Sequence, residues 1–140
     1  MSSNEDDVRQ LKELVSRYAA LVDTRQFDQL TTVFDGEGVL DSGRGVRTGM
    51  AEIVEAMQGL HRYETTDHQL IGHEFTFDPT DPTLAHGQVF CDAHHVSNDN
   101  GQRNDRIMSI RYDDRYRHTN QGWRIEHRQL NLLAEQTRRV

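Results

Sequence analysis

The stretch Arg17-Tyr-Ala-Ala-Leu-Val-Asp-Thr-Arg-Gln-Phe-Asp-Gln-Leu-Thr-Thr-Val-Phe34 decides how the rest of the chain is interpreted. Its first part continues an apolar repeat at helical spacing that begins at Val8, and the polar corner at Asp23 interrupts this repeat. Apolar residues then return at helical spacing over residues 27–34, which predicts a second, shorter helix. The Asp23 carboxylate is therefore expected at a corner between two helices, at the opening of any pocket that those helices cover.

Two further helix signals flank this stretch. Ser2, Ser3 and Asn4 are good N-cap residues, and the acidic residues 5–7 that follow favour the positive end of a helix dipole. Apolar side chains recur at helical spacing over residues 50–60, which predicts a third helix.

The second half of the chain has the pattern of strands, because its apolar period is two. Asn100-Gly101 is a strong hairpin signal between two of these segments. A turn over residues 35–38 and a small hairpin over residues 39–47 are predicted ahead of the third helix. The long strands are predicted over residues 68–77, 84–97, 103–116 and 123–133. Helices followed by such a meander predict an α+β fold, in which helices pack on one face of a curved antiparallel sheet.

Composition limits the function classes. The 140 residues suit a single domain, 1–140, with an ordered core of about residues 5–134. A net charge of −7 argues against nucleic acid or an anionic membrane as a partner, since both need a basic face. No apolar run approaches the roughly 18 residues of a membrane span, and the acidic start does not resemble a signal peptide, so we expect a cytoplasmic protein. The single cysteine, Cys91, allows no internal disulfide and is expected to be a packed thiol.

Five short motifs follow one another at a characteristic spacing. They are Tyr18-Ala-Ala-Leu-Val-Asp23, Phe27-Asp-Gln-Leu30, Gly49-Met-Ala-Glu-Ile53, Thr66-Asp-His68 and Gly122-Trp-Arg-Ile125. Their order resembles the SnoaL-like group of the nuclear transport factor 2-like superfamily. This resemblance implies a cone-shaped α+β barrel, with the N-terminal helices in the concave face of the sheet and a deep pocket for a small hydrophobic molecule. It also implies a homodimer or a homotrimer.

The resemblance extends to three enzymes of this group: scytalone dehydratase, bile-acid 7α-dehydratase and hexachlorocyclohexane dehydrochlorinase. They share an aspartate from the first helical corner and a histidine from the first long strand, and Asp23 and His68 stand at those places. Arg128 matches an arginine that lines the pocket in the last two enzymes, and Tyr18 matches a tyrosine of the bile-acid enzyme. By this resemblance these four residues are the catalytic candidates.

A second polar pair is expected on the strand after His68. His94 is the nearest counterpart of a second histidine in scytalone dehydratase, and His95 points to the opposite face. Asp92 shares a strand face with His94, so we assign Asp92 and His94 to substrate binding. The histidines lack metal-ligand spacing, and we expect neither a metal nor another cofactor.

These residue types suit proton transfer at carbon. A neutral histidine can remove a proton near pH 7 if a carboxylate holds its Nδ1 and stabilises the imidazolium that forms. The alternatives are that Asp23 caps the second helix, that Arg128 pairs with Glu126 or Glu135, and that Tyr18 is an ordinary core residue.

One feature of the first long strand argues against His68 facing the core. Strict alternation places His68 on one face with Leu70, Gly72, Glu74 and Thr76. The other face, with Ile71, His73, Phe75 and Phe77, is the more apolar of the two.

The sequence and the resemblance together lead to one expected function. We expect a cofactor-independent, dehydratase-like lyase that acts on a small hydrophobic, carbonyl-bearing ring compound through an Asp-His dyad. An isomerase or cyclase on the same scaffold remains an alternative, since both reactions also begin with proton removal beside a carbonyl. A non-catalytic ligand-binding or assembly domain is the other alternative, and it predicts an interior filled by side chains.

Overall fold

The computed structural model describes residues 4–140 of the chain. The first helix, α1, is Asn4–Asp23. Ser2 and Ser3, which the sequence predicts as N-caps, lie outside the described residues. The helix buries its apolar face and ends where predicted, because Arg25 adopts a left-handed backbone with φ of 62°.

The connection after α1 differs from the prediction. A short 3-10 helix, Phe27–Thr32, replaces the longer second helix, and the first strand, β1, is already formed at Phe34–Asp41. The reason is tertiary, since Phe34 pairs with Ile125 on a distant strand and the Ile125 amide donates to the Val33 carbonyl at 2.8 Å. The turn predicted over residues 35–38 therefore lies within β1.

The predicted hairpin and third helix are present with adjusted ends. Strand β2 is Val46–Thr48 and pairs antiparallel with β1. Helix α2 is Met50–Met57, and a second 3-10 helix, Gln58–Arg62, carries the chain on to the long strands.

Four long strands form the predicted antiparallel meander. They are β3 (Thr65–Phe77), β4 (Leu84–Asp99), β5 (Gln102–Thr119) and β6 (Gly122–Arg139). The order across the sheet is β2-β1-β6-β5-β4-β3, and within residues 4–140 the β1–β6 contact alone is parallel. The curved sheet is not closed, and the N-terminal helices pack against it, which confirms the α+β fold with helices on the concave face. Strand β6 continues beyond the predicted end at residue 133 because it pairs with β5 as far as Arg139.

A β-bulge in β3 removes the objection to His68. The pairing with β4 shifts between Leu70 and Gly72, so that Ile71 is the extra residue. Before the bulge His68 pairs with Ala93, and after it Phe75 pairs with Gly87, and both partners belong to the buried face of β4. His68, Phe75 and Phe77 therefore lie on the same side of the sheet, where both phenylalanines pack against the core, and the expectation of strict alternation along β3 is wrong.

Candidate active site

A cavity of about 440 Å³ opens on the concave side of the sheet. Its walls come from α1, the β1–β2 hairpin, the α2 region and strands β3 to β6. The apolar part of the lining includes Val22, Leu40, Met57, Leu60, Met108, Ile110 and Leu130. The polar part includes Tyr18, Tyr112, His68 and His95. An apolar cavity with a few convergent polar groups has the character of a small-molecule site.

Asp23 and His68 meet at this cavity. The Asp23 Oδ1 atom lies 2.7 Å from His68 Nδ1, and the backbone amide of His68 donates to Asp23 Oδ2 at 2.8 Å. The side chain of His68 is 8% exposed and that of Asp23 is 20% exposed. Asp23 is thus a partner of His68 rather than the cap of the next helix, and no side chain caps the 3-10 helix that follows.

A chain of hydrogen bonds fixes which atoms carry the protons. Arg25 Nη1 donates to Thr66 Oγ1 at 2.7 Å, and Thr66 Oγ1 in turn contacts Asp23 Oδ1 at 3.0 Å. Because a guanidinium can only donate, the Thr66 hydroxyl points its hydrogen at Asp23. Asp23 then accepts every hydrogen bond that it makes here, so His68 presents Nδ1–H to the carboxylate, and in the neutral ring the lone pair lies on Nε2.

The charge state of Asp23 agrees with this arrangement. Burial raises the pKa of Asp23, but the hydrogen bonds from the side chain and the backbone of His68 and from Thr66 outweigh burial. The pKa of Asp23 is therefore below its ordinary value, and the carboxylate stays charged near neutral pH.

His95 is a second imidazole in the same cavity. Its ring centre lies 5.8 Å from that of His68 and 5.0 Å from that of Tyr63. The Nδ1 atom contacts two backbone carbonyls, of Ala93 at 3.1 Å and of Arg106 at 3.2 Å, so it must carry hydrogen. Burial lowers the pKa of His95, and a proton taken up by the neighbouring His68 ring acts in the same direction. A neutral His95 with an accepting Nε2 follows.

His94 and Asp92, the predicted substrate-binding residues, are not brought into the cavity. The odd-numbered positions of β4 are the buried ones, so the even-numbered residues point to the other face of the sheet. There His94 Nδ1 pairs with Asp105 Oδ2 at 2.6 Å. The imidazole that β4 contributes to the cavity is that of His95.

Tyr18 lines the cavity, while Arg128 lies behind it. The Arg128 guanidinium is 4.4 Å from the centre of the Tyr18 ring and 4.0 Å from that of Tyr112, and the residue is 1% exposed. Two of its nitrogens donate to Asp114, at 2.8 and 2.7 Å. The predicted pairing alternatives, Glu126 and Glu135, are not its partners.

The surroundings of Arg128 and Tyr18 favour a charged arginine packed against a neutral tyrosine. Burial by itself lowers the pKa of Arg128, but Asp114 reverses the effect and raises that pKa above its usual value. Burial raises the pKa of Tyr18, with the charge of Arg128 opposing it, and Tyr18 stays a neutral donor. Arg128 therefore contacts the rings of Tyr18 and Tyr112 from behind and does not itself line the cavity.

The cysteine at position 91 is a buried free thiol. Burial raises the pKa of the Cys91 thiol to about 12, which suits the predicted packed thiol. Within residues 4–140, no three His, Cys, Asp or Glu side chains gather in a group that could hold a metal ion.

The pattern of this site and fold has a counterpart among known families. The sequence profile of the SnoaL-like domain matches residues 5–129 of the chain. The chain belongs to the SnoaL-like family. This membership confirms the resemblance that the five sequence motifs indicated.

Solved structures of other proteins share the fold of this SnoaL-like chain at low sequence identity. The Kfla4162 protein from Kribbella flavida is 22% identical, with a TM-score of 0.85 over 96% of this chain and 95% of that one. A proposed scytalone dehydratase from Novosphingobium aromaticivorans is 18% identical, with a TM-score of 0.85 over 95% of this chain and 88% of that one. The hexachlorocyclohexane dehydrochlorinase LinA-type3 from Novosphingobium barchaimii is 12% identical, with a TM-score of 0.83 over 96% and 92% of the two chains.

No curated protein matches this SnoaL-like chain with significant similarity. Among residues 4–140, no helix combines the length and the hydropathy that crossing a bilayer requires.

Sequence reasoning missed two contributors to the site, Thr66 and Arg25. Thr66 lies two residues before His68 on the same strand face, which is a signal that alternation could have supplied. The sequence offers no comparable signal for Arg25. Its contacts depend on its left-handed backbone, from which its side chain donates to Thr66 and to the Leu60 carbonyl.

Proposed function

We propose that this protein is a cofactor-independent lyase that eliminates water from a small, carbonyl-bearing ring compound, with His68 as the base. The single observation that supports this most is the 2.7 Å contact between Asp23 and His68 at the wall of a largely apolar cavity. A positioned histidine with a free Nε2 in such a surrounding has the features of a general base.

The reaction begins with proton removal from the carbon next to the carbonyl. His68 Nε2 takes this proton, and the charged Asp23 stabilises the imidazolium that forms. The electron pair of the broken C–H bond moves towards the carbonyl oxygen, which becomes enolate-like. In this proposal Tyr18, whose hydroxyl is neutral and which lines the cavity, donates a hydrogen bond to that oxygen.

The second step expels the hydroxyl group on the next carbon. The imidazolium of His68 returns its proton to the departing oxygen, so that water leaves and a carbon–carbon double bond forms. His95, with an accepting Nε2, orients the substrate hydroxyl before it leaves. Arg128 has no direct part here, since Asp114 holds its guanidinium behind Tyr18.

The test uses 3-hydroxy-1-tetralone, a bicyclic ring ketone with a hydroxyl group β to the carbonyl. Loss of water from this compound gives 1-naphthol, which fluoresces, and proton removal alone is seen as uptake of deuterium at C2 from heavy water. We expect turnover by the wild type and a fall of at least ~100-fold in His68→Gln, as for removal of a positioned base. The matched control is His86→Gln on the exposed side of β4.

Three outcomes of this test differ in meaning. Deuterium uptake without naphthol would favour the isomerase or cyclase alternative, because the base then works but the elimination does not. Equal rates in His68→Gln and wild type, with both folded, would reject His68 as the base. If the wild type shows no proton removal and no binding, the result would favour a non-catalytic domain.

A further inference from the structure

Three arginines surround the opening of the cavity. Arg44 lies in the loop between β1 and β2, Arg47 lies in β2, and Arg62 ends the 3-10 helix before β3, and all three contribute to the lining. No aspartate or glutamate is among the described lining residues. The opening is thus positively charged in a chain whose acidic residues outnumber its basic ones by 23 to 16.

These three guanidinium groups differ from most arginines of the long strands. Arg103, Arg106, Arg111, Arg115, Arg117 and Arg128 each form an ion pair with a carboxylate. Among residues 4–140, no carboxylate lies within 4.0 Å of Arg44, Arg47 or Arg62 in an ion pair. The three arginines therefore form none of these close ion pairs, and Arg62 Nη2 donates to the neutral Tyr63 hydroxyl at 3.1 Å.

The local structure constrains these three arginines at the edge of the cavity. Arg47 pairs directly with Leu40 across the β1–β2 hairpin, so the two side chains share a face, and Leu40 lines the cavity. A tight loop holds Arg44, in which the Ser42 amide donates to the Gly45 carbonyl at 3.1 Å. Arg62 lies 4.9 Å from the centre of the Tyr63 ring, which limits its motion.

We infer that the substrate of this cavity is an apolar ring that carries a carboxylate, and that Arg44, Arg47 and Arg62 hold this carboxylate at the opening. The guanidinium fork matches the two oxygens of a carboxylate, and three guanidinium groups around one opening disfavour a cationic substrate. The apolar ring then occupies the inner part of the cavity, where His68 and His95 lie. This inference rests on the proposed function, because it names the substrate class for the same site.

The test compares two ligands of nearly equal shape, 2-naphthoate and its neutral counterpart 2-naphthamide. Each is titrated into ¹⁵N-labelled protein, and the dissociation constant is taken from the shifts of backbone amides and of the His68 ring nitrogens. We expect 2-naphthoate to bind about tenfold more tightly at low ionic strength, as the sum of three modest exposed ion pairs. The preference should shrink at about 0.5 M salt because the charges are screened.

Variants decide whether the rim causes the preference. In the triple variant Arg44→Gln, Arg47→Gln, Arg62→Gln, we expect the preference to fall below about threefold, with little change for the amide. The control Arg115→Gln removes one positive charge from another part of the sheet and should keep the preference.

The outcomes separate this inference from the proposed function. Equal binding of the two ligands, or a preference that survives in the triple variant, would overturn the carboxylate assignment while the cavity remains a ligand site. If neither ligand shifts His68, the cavity does not take ring compounds, and the inference falls together with the proposed function.

Discussion

Replacing Asp23 by Asn should reverse the tautomer of His68. The carboxylate accepts three hydrogen bonds, from His68 Nδ1 at 2.7 Å, from the His68 backbone amide at 2.8 Å and from Thr66 at 3.0 Å. An asparagine amide offers one oxygen and one NH₂ group. The backbone amide can only donate, so the asparagine oxygen must face it, and the NH₂ group must then face His68 Nδ1.

This geometry forces the proton of His68 to the other side of its ring. An Nδ1 atom that faces NH₂ must accept, and the neutral ring then carries its hydrogen on Nε2. The lone pair that the proposed base needs is no longer directed into the cavity. We therefore expect Asp23→Asn to lower turnover of 3-hydroxy-1-tetralone by about 10²–10⁴-fold, the range for loss of a general base.

The same change should destabilise the fold moderately. A hydrogen bond to a charged group contributes about 1.5–3 kcal/mol, and the 20% exposure of the Asp23 side chain places the loss towards the lower end. Urea unfolding measures this difference in free energy of unfolding.

The assay for the tautomer needs no substrate. Long-range ¹H–¹⁵N correlation spectra of histidine-labelled protein report which ring nitrogen carries hydrogen, and His68→Gln assigns the signal among the eight histidines. Asp67→Asn is the control, because Asp67 is exposed and accepts a hydrogen bond only from Gln69 among the contacts described. An Nδ1–H tautomer that persists in Asp23→Asn, or an Nε2–H tautomer in the wild type, would refute the reasoning.

Three further predictions test the surroundings of the site. Arg128→Met leaves Asp114 as an uncompensated buried charge and should lower the free energy of unfolding, measured in urea, by about 3–5 kcal/mol. Adding Asp114→Asn to this variant removes the buried charge and should restore part of the lost stability. Burial lowers the pKa of His95, so the unfolded chain binds a proton there at higher pH than the folded chain does. The free energy of unfolding should therefore fall as the pH drops below about 6.5. An equal fall in the His95→Gln variant would contradict the assignment to His95. Gly87→Ala places a Cβ 2.7 Å from a buried tyrosine ring and should cost about 1–3 kcal/mol in thermal unfolding, whereas Gly72→Ala meets nothing within 4 Å and should be nearly neutral.

Local patterns carried most of the fold. The period of three and four residues predicted α1, the period of two predicted the four long strands, and Asn100-Gly101 predicted a hairpin whose two residues have φ of 54° and 90°. Such signals depend only on neighbours along the chain, so the sequence contains them in full. The helix predicted to end at Phe34 failed because pairing with a distant strand outweighed local helical spacing.

The pairing of Asp23 with His68 could be predicted before the structure, but the residues around this pair could not. Family resemblance supplied Asp23 and His68, and the structure brings them together. It also suggested His94, but the register of β4 turns His94 outward and His95 inward. Arg128 was placed in the pocket by likeness, yet Asp114 draws it behind the tyrosines.

The amino-acid sequence by itself determined the order and type of the elements, since apolar periodicity and turn residues act through local backbone geometry. Only the tertiary structure decided which side chains face the cavity. A single extra residue at the β3 bulge reverses the direction of every side chain after it, and this residue is specified by pairing across the sheet. The site of this protein therefore follows from strand register, which arises only when distant segments pack together.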